Sequence, residues 1–231
     1  MPKLIEIIGP PGSGKTFISS KFQIFTKNNK QISFHSSNWR NFSKFKKLNF
    51  NSKILIKFKV IIIIIFFYII FYKRLFFKKI YNRGFFLRTI LLIYRHLVSI
   101  ELLKKSLMKN EYLIMEPGII MYFLQDYFYS DQKIKKKEIN IFNKFFVQAD
   151  FIIYTNCSSR LKYKRLKLRK RGLPQRMRGL TSKEINNTIK KSDNIINSYI
   201  FNSRNIKSKI IKINTSNNFK IIKKKILNIL N

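Results

Sequence analysis

Acid is scarce in this chain of 231 residues: 10 Asp and Glu stand against 48 Lys and Arg, a formal net charge of +38. No paired carboxylates of the glycosidase kind stand out. A single cysteine, Cys157, excludes an intrachain disulfide and with it a secreted disulfide scaffold. That lone thiol, following an apolar strand pattern, reads as packing rather than as a nucleophile. His35 and His96 are the only histidines and lie far apart, so no zinc-like spacing exists. Glycine and proline are few, and Ala149 is the only alanine, while Ile, Asn, Lys, Phe and Tyr abound. A/T-rich codons specify that same inflated set, so much of the lysine excess reads as compositional drift. Nucleic acid is therefore not the expected main partner, although nonspecific attraction to polyanions follows from the charge either way.

Long apolar runs are limited to one. Residues 60–72 read VIIIIIFFYIIFY, thirteen apolar residues flanked by Lys59 and Lys73. A membrane-spanning helix needs about 20, and extending the run in either direction takes in lysine or arginine. The expectation is a buried helix or strand-like segment within a soluble fold. Hydrophobic residues make up 45% of the chain, which argues against disorder, and the length suits one domain spanning 1–231.

The strongest signal is at the start. Gly9-Pro10-Pro11-Gly12-Ser13-Gly14-Lys15-Thr16 matches G-x-x-x-x-G-K-[ST] completely. It follows the apolar stretch Leu4 to Ile8 and leads into Phe17 to Phe22, which suits the start of a helix. Strand, glycine loop and helix N-terminus together form a phosphate cradle. Glycines let the backbone wrap closely, Lys15 reaches the β- and γ-phosphates, and the Thr16 hydroxyl ligates Mg²⁺. A core strand so near Met1 leaves no room for a cleavable leader, so a cytoplasmic location is the default expectation.

Further strand patterns occur at Gln31–His35, Tyr112–Met115, Phe151–Tyr154 and Lys209–Ile213. Helical patterns occur at about 85–108, 119–129, 138–147, 158–171 and 219–230, and another begins with a capping box at Thr181 and Glu184. Leu87, Leu91, Tyr94 and Val98 can share one face of the second-named kind of pattern. Arg40 reads as a solvated side chain, and Trp39 either stacks on a base or packs a loop. Alternation of strands and helices favours a parallel sheet covered on both faces, a three-layer α/β/α arrangement of about five strands. The glycine loop would lie at the carboxyl edge of that sheet. Between Arg160 and Arg178 ten bases occur with no acid, interrupted by Gly172-Leu173-Pro174.

With the P-loop at its start, Glu116-Pro117-Gly118 after a middle strand and this basic segment later, the chain resembles the nucleoside and nucleotide kinases of the P-loop fold, thymidylate kinase and its relatives among them. The resemblance implies ATP and Mg²⁺ as cofactors and a small-molecule phosphate acceptor, most readily a nucleoside monophosphate. It makes Glu116 the acid that helps hold Mg²⁺ or orients the acceptor, with Pro117 standing where a second acid is often found. Asp150 resembles the usual acidic lead-in to the next strand. Arg165, Arg169, Arg171 and Arg176 match lid arginines that neutralise the phosphoryl group in transfer, in a lid of about residues 165–180. Two other readings remain open on the sequence: an ATPase or nucleotide-driven switch without a small-molecule acceptor, and a degenerate kinase fold that binds nucleic acid or a membrane surface. No Asn-Lys-x-Asp motif is present, which weighs against a GTPase. A homodimer is a further option; no specific nucleic-acid or membrane partner is expected.

Overall fold

Leu4-Ile5-Glu6-Ile7-Ile8 is almost entirely aliphatic because strand β1 (Lys3–Ile8) is covered on both faces. In the computed structural model, residues 3–27, 33–36, 111–129, 133–146, 149–169, 172–203 and 206–230 are described, with scattered helical positions between 54 and 102. Trp39, Arg40, Leu87, Leu91, His96, Arg171 and residues 66–72 lie outside the described residues.

The order along the chain is β1, α1 (Lys15–Lys27), β2 (Ser33–Ser36), β3 (Glu111–Met115), α2 (Ile119–Phe128), α3 (Lys136–Phe146), β4 (Phe151–Asn156), α4 (Ser159–Lys167), α5 (Ser182–Asn202), β5 (Lys209–Asn214) and α6 (Phe219–Leu230). The five strands form one sheet in the order β2-β3-β1-β4-β5, and every pairing is parallel. β1 is central, with Ile5 beside Ile114 on one side and Phe151 on the other. Two apolar layers sandwich the sheet. Leu4, Ile8, Leu113 and Ile152 face α2, α3 and α5. Ile5, Ile7, Ile114 and Ile153 face Ile18 and Phe22 of α1 and Ile222 and Ile226 of α6. Each fully buried aliphatic side chain of β1 contributes roughly 1.5–3 kcal/mol.

The element boundaries differ from the sequence expectation at edges. β2 is described over Ser33–Ser36, with residues 31 and 32 of the expected strand outside the described residues, and α4 ends at Lys167 rather than near residue 171. The capping box is present as expected: Thr181 Oγ1 accepts from the Glu184 N–H, and the Glu184 carboxylate accepts from the Thr181 N–H at 2.8 Å. Of the apolar run, only positions 60, 61, 62 and 65 are described; they are helical, with Val60 buried as expected and Ile61, Ile62 and Ile65 exposed.

Glu6 is the one acid inside β1, and strand alternation turns it towards α2 with Leu4 and Ile8. Helix α2 begins at Gly118, which offers no side chain to cap it. Glu6 supplies the cap from another strand: its Oε1 accepts the Ile120 N–H at 2.6 Å. A Cβ on Gly118 would land on the Glu6 carboxyl, so this close approach requires glycine. Burial raises the Glu6 pKa to about 8, against the opposing pull of the Ile120 and Met121 N–H groups. The folded protein therefore holds a proton on Glu6 that the unfolded chain releases at the ordinary carboxylate pKa. Stability contributed by this group is complete at acidic pH and falls as pH rises from the ordinary value towards about 8. Urea unfolding of wild type should show a midpoint that declines between about pH 5 and pH 8, and Glu6→Gln should flatten that decline while keeping the acceptor for Ile120.

Candidate phosphate-binding site

The loop between β1 and α1 lies at the carboxyl edge of the central strand, where parallel sheets of this kind place ligands. Gly12 and Gly14 have φ of 78° and 91°, a region where side chains are strained. Surrounding elements also press on the loop. A Cβ on Gly9 would meet the Thr155 side chain at the end of β4, and one on Gly12 would meet the Lys162 carbonyl of α4 at 2.5 Å. The motif is thus held in shape from outside as well as by its own glycines.

Hydrogen bonds complete the clamp. Ser13 Oγ and Thr155 Oγ1 are 2.8 Å apart, and both hydroxyls are buried. Thr215, just after β5, donates from Oγ1 to the Ser13 carbonyl at 2.7 Å. Arg165 of α4 in turn donates from Nη1 to Thr215 Oγ1 at 2.8 Å and from Nη2 to the Thr215 carbonyl at 3.1 Å. Three separate elements therefore converge on the backbone of residues 9–14.

Lys15 folds over the loop, donating from Nζ to the carbonyls of Gly9 at 2.7 Å and Pro10 at 3.0 Å. Burial lowers its pKa to about 8; the Glu116 carboxylate opposes this, and Arg169 and Lys162 add to it. Thr16 Oγ1 donates to Glu116 Oε1 at 2.8 Å, joining two residues separated by 100 positions. The structure thus brings the loop hydroxyl and the β3-terminal acid to one point beside Lys15. Their oxygens suit a hard cation that keeps most of its ligands as water and phosphate. Among the described residues no group of three or more His, Cys, Asp or Glu could hold a metal ion by itself, and magnesium bound chiefly by phosphates needs none.

The candidate arginines are dispersed. Arg165 donates to Thr215 and lies against the loop itself, its Nη1 3.2 Å from where a Cβ on Gly14 would stand, while Arg169 is exposed just past the end of α4 with its charge acting on Lys15. Arg176 donates to the Gln125 carbonyl at 3.1 Å and lies 4.9 Å from the Tyr129 ring centroid, against the end of α2. Its neighbour Met177 is fully buried with Leu166, Ile185 and Ile189, which pins this part of the candidate lid to α4 and α5.

Sequence reasoning missed four supporting residues. Thr155 and Thr215 are ordinary strand-end threonines, and nothing local marks them. The other two form an ion pair whose lysine is buried and whose aspartate is partly exposed: Lys162 Nζ contacts both Asp193 carboxylate oxygens at 2.6 Å, tying α4 to α5 beside the loop. Lys162 sits among ten bases and could not be told from surface charge, yet its side chain is only 1% exposed. A faint signal existed in Asp193, an acid recurring on the apolar face of an amphipathic helix.

No protein-family model and no curated protein matches the sequence. Solved structures do match. Deoxyadenosine kinase from M. mycoides, with products dCMP and a flexible dCDP bound, superposes with a TM-score of 0.53 at 17% identity, covering 98% of this chain and 96% of that one. The same enzyme with bound dATP gives 0.52 at 17% identity, covering 98% of both chains. Shikimate kinase from Bacteroides thetaiotaomicron gives 0.45 at 11% identity, with coverage of 98% and 96%. The chain has the P-loop NTPase fold. Within it, Asp193→Ala should leave the Lys162 ammonium buried without a partner, at a cost of about 3–5 kcal/mol. Chemical denaturation would show this as a lowered midpoint, and Lys162→Met with Asp193→Leu should recover most of the loss.

Proposed function

We propose that the protein transfers the γ-phosphoryl group of ATP to a small-molecule acceptor, with nucleosides and nucleoside monophosphates the first classes to try. The observation that carries this reading is the 2.8 Å contact of Thr16 with Glu116 at the mouth of a complete phosphate loop. An acid from β3 at that point can both help hold Mg²⁺ beside the phosphates and orient an acceptor oxygen. The likeness in fold to a deoxyadenosine kinase supports the choice of first acceptors.

In this reading the N–H groups of residues 12–16 and the start of α1 receive the phosphates. Lys15 leaves the Gly9 and Pro10 carbonyls and pairs with β- and γ-oxygens. Thr16 and Glu116 would hold Mg²⁺, which supplies charge neutralisation on the phosphate oxygens. The bond between the γ-phosphorus and the β-bridging oxygen breaks as a new bond forms to the acceptor oxygen. Glu116 orients that acceptor and takes its proton, with Pro117 leaving it as the single acid there. Arg169 adds positive charge near the transferred group, and Arg165 keeps the loop rigid through Thr215. Once Lys15 has turned to the phosphates, the loop N–H groups that the clamp already holds in place need little reorganisation as charge builds up.

Calorimetric titration with ATP and Mg²⁺ should show saturable binding that weakens by more than about tenfold in Lys15→Ala, the loss of a charge-assisted phosphate contact. With labelled ATP and a panel of nucleosides and nucleoside monophosphates, wild type should yield a phosphorylated acceptor. Glu116→Gln should bind ATP within a few-fold of wild type yet transfer about 10²–10⁴ times more slowly. Release of inorganic phosphate alone across the whole panel would replace the kinase reading with an ATPase.

A further inference from the structure

The segment Glu116-Pro117-Gly118-Ile119-Ile120 carries no Ser, Thr, Asp or Asn to cap the helix it starts. Helix α2 takes its cap from β1 instead, where the Glu6 carboxyl accepts the N–H groups of Ile120, at 2.6 Å, and of Met121. Gly118 has an extended backbone, with φ of −91° and ψ of −175°, that any residue adopts. Glycine is needed there for space alone, because a Cβ would land on the Glu6 carboxyl. A polar residue at that position would cap α2 without burying an acid. The chain instead places a carboxyl in an apolar layer, at a desolvation cost, and thereby ties α2 to the strand that ends in the phosphate loop.

Two contacts of Glu6 bracket Glu116. On the strand side, Glu6 lies beside Met115, the last residue of β3, in the parallel pairing of β1 with β3. On the helix side, its carboxyl holds Ile120. Met121, one residue on, is buried and accepts the Gly9 N–H on its sulfur at 3.5 Å, so the same helical turn also touches the first residue of the phosphate loop. Resting on the reading of Thr16 and Glu116 as the pair that serves the transferred phosphate, we infer that Glu6 is a positioning residue for the transfer: it fixes Glu116 opposite Thr16 by holding the chain on either side of it. Without that carboxyl, two N–H groups of α2 lose their acceptor inside an apolar layer, and the start of the helix shifts to recover partners. Glu116 moves with it, and its 2.8 Å contact with Thr16 is lost. A displacement of about 1 Å at a group that meets the reacting atoms can slow a reaction about 10²-fold.

The test compares wild type with Glu6→Gln, Glu6→Leu and Gly118→Ala in the labelled-ATP assay, with ATP affinity measured by calorimetry. Glu6→Gln keeps an acceptor for Ile120 and should transfer within a few-fold of wild type. Glu6→Leu, and Gly118→Ala with its Cβ displacing the carboxyl, should lower kcat about 10–100-fold, while ATP affinity and the KM for ATP stay within a few-fold. In a Glu116→Gln background, Glu6→Leu should add little, since both changes act through one group. Should either variant fold poorly by circular dichroism, Glu6→Asp, one carbon shorter, carries the comparison at smaller amplitude. Folded variants with wild-type kcat overturn the inference. So do parallel losses of kcat and ATP affinity, which would leave Glu6 a role in the fold alone, and so does a full additive loss in the Glu116→Gln background. Wild type that releases phosphate without labelling any acceptor would remove the kinase reading only. The role of Glu6 then stands or falls on the rate of phosphate release, with the same ordering of variants expected.

Discussion

The phosphate loop can be a cradle only if its backbone N–H groups stay turned outward, and that requires holding residues 9–14 in a conformation the chain would not keep alone. Glycine permits the shape at Gly12 and Gly14 but does not enforce it. Enforcement comes from outside: Thr155 at the end of β4, Thr215 after β5 and the Lys162 carbonyl in α4 leave no space for another arrangement. Every other feature of the site depends on this clamp. Arg165 braces Thr215, and the Lys162–Asp193 pair fixes the helix whose carbonyl touches Gly12.

A second constraint places the acid opposite. Glu116 stands between the end of β3 and the start of α2, so its position depends on how α2 enters the sheet layer. Glu6 governs that entry by capping α2 across the sheet, and Gly118 allows the two to approach. A proton retained on Glu6 makes the arrangement affordable in an apolar layer, since a neutral carboxyl loses far less on burial than an ionised one. The central strand thus contributes on both counts, leading into the loop at its end and steering Glu116 from its middle.

The arginine-rich segment divides by packing rather than by charge. Arg165 is spent on the loop's support and Arg176 on α2, whereas Arg169 remains exposed near Lys15. Buried Met177 holds the stretch between them against α4 and α5. Ten bases that look alike in sequence therefore have different surroundings, and one of them, Lys162, is not a surface charge at all.

Local chemistry alone settled the glycine loop, the five strand patterns, the capping box at Thr181 and Glu184, and the layered parallel architecture. Each rests on interactions between residues close in sequence or on the periodicity of burial along one element, which a linear reading can follow. It also marked Lys15 and Thr16, because the motif is recognisable where it stands, while Glu116 was singled out by the resemblance to P-loop kinases. What only the tertiary structure decided were the partners far apart in the chain: Thr16 with Glu116, Ser13 with Thr155 and Thr215, Lys162 with Asp193, and Glu6 with Ile120. The same holds for the run at residue 60, where composition indicates apolar side chains but only packing decides which of them meet water. Contacts across such separations depend on the register of the sheet and the angle of each helix, and these are properties of the folded whole.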